Sequence, residues 1–282
     1  MKGVLEFLAR RYIAGVGAED AVSVARALNG SGILATIDNL GENVRTEEEA
    51  GASVREYTGL LDLIKSSGVN STVSLKLTHL GLDISSLLAR DNAGRIIKAA
   101  SSLDNFVRID MEGSAYTERT MEIFLHLRSR YPNVGIAIQS SLRRSAGDVR
   151  LLIERGASVR LVKGAYKEPP EIAFPRKPDV DRNFEILMKE LLLKGKSPAI
   201  ATHDERLLNE AIRFVNENNI PKGRFEFQML LGIKRTLQKR LALEGYRVRV
   251  YIPYGPNWLP YSVRRLRERK ENLFFVVKNI FD

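Results

Sequence analysis

Eight short apolar runs recur along this chain, at 32–37, 72–77, 106–111, 134–139, 158–163, 199–202, 225–230 and 248–252. The segments between them carry helical periodicity, as in 46–66, 184–193 and 205–216. Strand-length runs alternating with amphipathic helices at intervals of about 25 to 40 residues describe a series of βα units. Right-handed crossovers then lead to a closed (β/α)8 barrel of α/β class. A doubly wound open sheet is the competing arrangement, but no Gly-x-Gly-x-x-Gly follows any of the runs. Apolar residues at helical intervals within 4–28, interrupted near Gly15 and Gly17, predict two short helices ahead of the barrel. The 282 residues fit one barrel core without a linker, so a single domain is expected over 1–282: helices in 1–30, the barrel in 31–257, and a closing helix and tail in 258–282.

Side chains at the carboxyl ends of barrel strands converge on one mouth. Here those ends carry Glu42, Lys76, Asp110 with Glu112, Gln139, Arg160 with Lys163, Thr202 with His203 and Asp204, Gln228, and Tyr251. A barrel serving structure alone has no use for polar groups at nearly every strand end. The fifth run is the most informative, because Arg160, Leu161, Val162, Lys163, Gly164, Ala165 and Tyr166 deliver cations, bare backbone and an aromatic ring to one place. The net charge of +10, from 44 basic and 34 acidic residues, favours anionic partners such as a phosphate-bearing cofactor or a carboxylate substrate. Cysteine is absent, which excludes disulfides and thiolate chemistry, and three histidines, His79, His126 and His203, give little material for a metal site. No metal is expected. Charge alone would also admit nucleic acid, but no recognition module accompanies it and none is expected to bind. Glu6, Arg10 and Arg11 interrupt what would be the apolar core of a leader, and no run approaches a membrane span, so a cytoplasmic chain is expected.

Four separated blocks resemble the flavin-dependent proline dehydrogenase family: 160–166, then Ala201-Thr202-His203, then 225–230, and finally 251–255 with 261–268. The resemblance runs from Arg10 to Glu268. It implies a distorted (β/α)8 TIM-type barrel that holds FAD noncovalently at the strand carboxyl ends, with a final helix over the mouth. It assigns Gln139, Arg160, Val162, Lys163, Gly164, Ala165, Tyr166, Thr202, His203, Asp204, Gln228 and Leu230 to the flavin, with Arg160 near the flavin N5 and Lys177 toward the adenine dinucleotide half. On the substrate side it implies that Lys76, Arg264 and Arg265 bind the carboxylate of L-proline, that Glu268 lies near the amine, and that Tyr251, Tyr261 and Leu230 wall the pyrrolidine ring. Asp110 corresponds to an acid that supports the pocket tyrosine. The implied reaction is hydride transfer to the flavin, giving 1-pyrroline-5-carboxylate, with the electrons passed to a quinone. A pyrroline-5-carboxylate dehydrogenase is then the partner that would receive the product.

Two segments depart from the family pattern. Asp204 stands where asparagine is common, and a carboxylate beside a cofactor phosphate requires a compensating cation. Residues 167–178 are proline-rich and basic, as a loop covering the cofactor would be. The apolar tail 273–281, flanked by Arg267, Arg269, Lys270 and Lys278, reads first as an element packed on the barrel and second as a peripheral contact with the inner face of an anionic membrane. A competing enzyme class is a class I aldolase that uses Lys163 as a Schiff-base lysine.

Overall fold

A computed structural model describes residues 11–256 and Trp258. Its eight strands are β1 Leu34–Asn39, β2 Ser71–Leu75, β3 Val107–Ile109, β4 Val134–Gln139, β5 Ser158–Val162, β6 Ala199–Ala201, β7 Glu226–Leu230 and β8 Val248–Tyr254. All neighbours are parallel and β8 pairs with β1, so the sheet closes into a TIM-type barrel in sequence order. Helix α1 (Ala18–Asn29) precedes β1 and packs across the β1/β8 seam. The seven crossovers carry α2 (Glu47–Ser67), α3 (Ser86–Ser102), α4 (Ser114–Arg128), α5 (Ser145–Glu154), α6 (Lys177–Lys194), α7 (Glu205–Glu217) and α8 (Arg235–Leu243). One helix precedes the barrel among the described residues. Any part of a second that falls in 1–10, and the predicted closing helix apart from Trp258, lie outside them. Among the described residues no helix is long and apolar enough to cross a membrane.

Strand alternation sorts the side chains onto two faces. Ile37, Val73, Leu75, Ile109, Val159, Leu161, Ile200, Phe227 and Val250 face outward into one continuous core with Tyr57, Leu60 and Leu61 of α2, Phe124 of α4 and Phe184 of α6. The inward positions are unusual, since barrels generally fill the lumen with branched apolar side chains. Here Thr36, Ser74, Arg108, Arg160, Glu226, Gln228 and Arg249 are all buried and bond to one another or to backbone across the barrel. Gly135 is the inward residue of β4 that makes room for them: a Cβ there would strike the Arg108 guanidinium and come within 2.7 Å of the Ser158 carbonyl.

The first strand lies later than its apolar run predicts. The run 32–37 ends at Ile37, whereas β1 extends through Asp38 and Asn39, which pair with Pro253 and Tyr254 of β8. Asp-Asn ordinarily marks a turn; here the β8 ladder satisfies its backbone. Glu42, expected at the end of this strand in the mouth, is exposed on the following loop, and Asp38 occupies the inward position instead.

Candidate active site

The mouth of the barrel holds a cavity of about 400 Å³. Lys76, Asp110, Gln139, Arg160, residues 162–166, Thr202, His203, Asp204, Gln228, Leu230 and Tyr251 all line it. Every residue that the resemblance assigns to the site within the described part of the chain is thus brought to one place, except Lys177, which stands at the start of α6 beside the rim. Tyr261, Arg264, Arg265 and Glu268, like the tail 273–281, lie outside the described residues.

The floor of the cavity is built around Arg160, which is 4% exposed. Its Nε donates to Gln228 Oε1 at 2.6 Å, Nη2 donates to Ser74 Oγ at 2.9 Å, and Nη1 is paired with Asp110 Oδ1. Asp110 Oδ2 in turn accepts from the Tyr251 hydroxyl at 2.8 Å, and the guanidinium lies 5.4 Å from the Tyr251 ring centroid. One carboxylate therefore fixes both a buried cation and an aromatic wall. Burial pushes the Asp110 carboxyl above its ordinary range, while Arg160 and Lys76 pull it down. Below this floor Glu226 accepts from Gln228 at 2.5 Å and from Arg249 at 2.8 Å, so the chain of bonds continues into the lumen.

Lys76, just beyond the end of β2, donates to Asp38 Oδ2 at 2.9 Å. Burial alone would lower the lysine, but Asp38, followed by Asp110, outweighs it and the ammonium form is favoured. Asp38, Glu226 and Arg249 were not predicted as part of the site. Asp38 was hidden by its turn-like dipeptide. The other two sit at the starts of β7 and β8, where their polar character has meaning only once the strands are assembled into the barrel.

At the rim, Lys163 bridges Asp181 at 2.6 Å and Asp204 at 2.8 Å. Lys177 adds a second cation 2.6 Å from Asp181 and 3.8 Å from Asp204. The departure at Asp204 is thereby compensated: burial would raise its carboxyl, but Lys163 and Lys177 hold it below the usual range. Asp204 also caps α7, accepting the Arg206 amide at 3.1 Å. His203 Nε2 accepts the Leu230 amide at 2.9 Å, which fixes the ring and puts the imidazole proton on Nδ1. Gly164 has φ +112°, and a Cβ there would collide with Ser141 Oγ, so backbone alone forms that wall. The segment 167–178 lies against the loop after β4: Phe174 donates to the Ser141 carbonyl and Ile172 accepts from the Arg143 amide.

His79 follows Lys76 on the mouth side, packed against the β1–α2 loop so closely that a Cβ on Gly41 would strike its ring. Burial, helped by the Lys76 charge, pushes its pKa down from 6.5 to about 4. The unfolded chain thus takes up a proton at His79 before the native protein does, and this contribution to stability is lost as pH falls from 6.5 toward about 4. About 2 kcal/mol should be gone by about pH 5. Urea unfolding of the native protein and His79→Gln across this range checks it; parallel stability curves would remove His79 as the cause.

A family model described as proline dehydrogenase matches residues 21–278. The chain is 43% identical over 272 residues to proline dehydrogenase 1 of Bacillus subtilis, covering 96% of this chain and 90% of that one. It is 40% identical over 278 residues to the proline dehydrogenase of Deinococcus radiodurans, with 97% and 90% covered. Among solved structures, proline utilization A from Bdellovibrio bacteriovorus, inactivated by N-propargylglycine, superposes with a TM-score of 0.86 at 30% identity, over 93% of this chain and 32% of that longer one.

Proposed function

The chain belongs to the proline dehydrogenase family, and from that premise we propose that it oxidises L-proline to 1-pyrroline-5-carboxylate with FAD held in the barrel mouth and a quinone as the final electron acceptor. The observation that carries the reading is the mouth cavity, in which Arg160, Lys163, Gly164 and His203 stand among the apolar walls of Met111, Val162, Met229 and Leu230. A largely apolar cleft with a few convergent polar groups fits a flat heterocycle. The glycine wall at Gly164 and the rim cations Lys163, Lys177 and Arg206 fit the phosphate-bearing remainder.

When bound, the flavin supplies the two-electron acceptor for a hydride from the carbon next to the ring nitrogen of proline. The protein's part is binding, orientation and charge. Lys76, held as an ammonium by Asp38, offers a cation to the substrate carboxylate, and Arg264 and Arg265 are proposed to complete that grip. Arg160 offers a fixed positive charge beside the redox ring, kept in place by Asp110, Gln228 and Ser74. Tyr251 and Leu230 wall the substrate ring, joined by Tyr261 and, near the amine, Glu268; the tyrosine at 261 favours proline over hydroxyproline. Holding the reactants in one geometry is where most of the rate gain is expected. Release of product to a pyrroline-5-carboxylate dehydrogenase and contact of the tail with an anionic membrane surface belong to the same reading.

The test is the visible absorption spectrum of the purified protein before and after anaerobic addition of L-proline. A flavin spectrum bleached by proline is expected. A protein that carries no flavin and takes up none would overturn the cofactor; one that keeps its colour with proline present would overturn the substrate. The aldolase reading is disfavoured by the surroundings of Lys163, which has carboxylates on two sides in place of the apolar pocket that activates a Schiff-base lysine.

A further inference from the structure

A second cavity, of about 270 Å³, opens at the other end of the barrel, where the strands begin. Arg108, Arg247, Arg249, Glu226, Ser158 and Ser197 line it. Two guanidiniums here share the single carboxylate of Glu226: Arg249 pairs with it at 2.8 Å and Arg247 at 3.7 Å. Arg160, which reaches the cavity from above, is already committed to Asp110.

Arg108 is 5% exposed and is held by neutral groups: Nη1 donates to the Ser158 carbonyl at 2.6 Å, Nη2 donates to Ser158 Oγ at 3.1 Å, and the guanidinium lies 5.0 Å from the Phe106 ring centroid. Its buried Nε has no hydrogen-bond partner. Burial and the charges of Arg160 and Arg249 push its pKa down to about 9, against the pull of Glu226. A guanidinium does not escape such a site by losing its proton at neutral pH, so a buried excess of positive charge calls for an anion. Planar N–H forks match the geometry of a tetrahedral oxyanion, and the Ser197 hydroxyl adds a neutral donor. Arg247 and Ser197 are exposed at the rim, so a small ion can enter from solvent.

We propose that this cavity binds inorganic phosphate between Arg108, Arg247 and Arg249, at a site separate from the cofactor mouth. The bound ion would supply the counter-charge that Glu226 alone does not, and would brace the lower end of the bond chain that runs from Arg249 through Glu226 and Gln228 to Arg160.

The experiment uses the FAD-saturated holoenzyme, so that the cofactor's own phosphate subsite is filled. Calorimetric titration with inorganic phosphate, at an ionic strength held constant with chloride, should show saturable binding at one site, and thermal melts should rise by several degrees at saturating phosphate. Arg247→Gln, at the exposed rim, should weaken the apparent affinity by roughly tenfold, the loss of one charge-assisted contact. Ser197→Asp places a fixed negative charge at the rim, at a residue whose φ of +47° aspartate tolerates; it should raise the melting temperature without phosphate and remove the response to it. Equal shifts in phosphate and in chloride, or both variants responding like the native protein, would overturn the proposal. A holoenzyme that binds phosphate but ignores proline would leave this site standing and refute the proposed substrate instead.

Discussion

Asp110→Ala is expected to lower kcat/KM for proline by at least a hundredfold, by roughly 3 kcal/mol of transition-state stabilisation. The reason is that Asp110 serves two partners. Its Oδ1 holds Arg160 and its Oδ2 accepts from the Tyr251 hydroxyl, so one truncation frees both the cation proposed to face the redox ring and a wall proposed to face the substrate. Arg160 would keep Gln228 and Ser74 but no carboxylate, and a buried charge left without its counter-ion costs about 3–5 kcal/mol of stability. Melting temperature should therefore fall along with activity. Asp110→Asn separates the two effects: it retains an acceptor for Tyr251 while losing the charge that holds Arg160. If steady-state kinetics with flavin content normalised show Asp110→Asn as active as the native enzyme, the charge on Asp110 is not what positions the site.

The strands of this barrel were legible because each is an apolar run bounded by polar residues, a signal that survives without any knowledge of neighbours. The mouth was legible for a related reason: Lys76, Asp110, Arg160 and Gln228 stand at or near strand carboxyl ends, where topology alone gathers them. The lumen was not legible. Arg108, Glu226 and Arg249 interrupt or flank apolar runs, and nothing local indicates that Arg249 will meet Glu226, 23 residues earlier, or the carbonyl of Ala35, 214 residues earlier. The first bond exists only once β8 pairs with β7, and the second only after closure of β8 on β1. Asp38 failed for the opposite reason, because its local signal was clear and pointed to a turn. Pairing with β8 overrode that preference and turned the carboxylate inward, where it meets Lys76.

That buried pair carries the second large expectation. Asp38→Asn should raise KM for proline by roughly tenfold to a hundredfold, the worth of one charge-assisted hydrogen bond to the substrate carboxylate, with a smaller change in kcat. Asp38 is fully buried and accepts from Lys76 at 2.9 Å and from the Tyr57 hydroxyl at 3.4 Å. Asparagine keeps one acceptor oxygen, enough for Lys76 in place of Oδ2, puts an NH2 where Oδ1 faces the Tyr57 hydroxyl, and supplies no charge. In the native protein Asp38 raises the lysine against a burial effect that lowers it; without the carboxylate, the burial effect gains ground and Lys76 gives up its proton at lower pH. The direction in pH follows. The KM ratio of variant to native enzyme should grow as pH rises from neutral into the alkaline range, because the variant progressively loses the ammonium while the native enzyme keeps it. A merely structural role for Asp38 would instead lower the fraction of active enzyme and leave KM and its pH profile unchanged. Steady-state kinetics across that range, on protein matched for flavin content, distinguish the two, and a flat KM ratio would remove Lys76 from the carboxylate site.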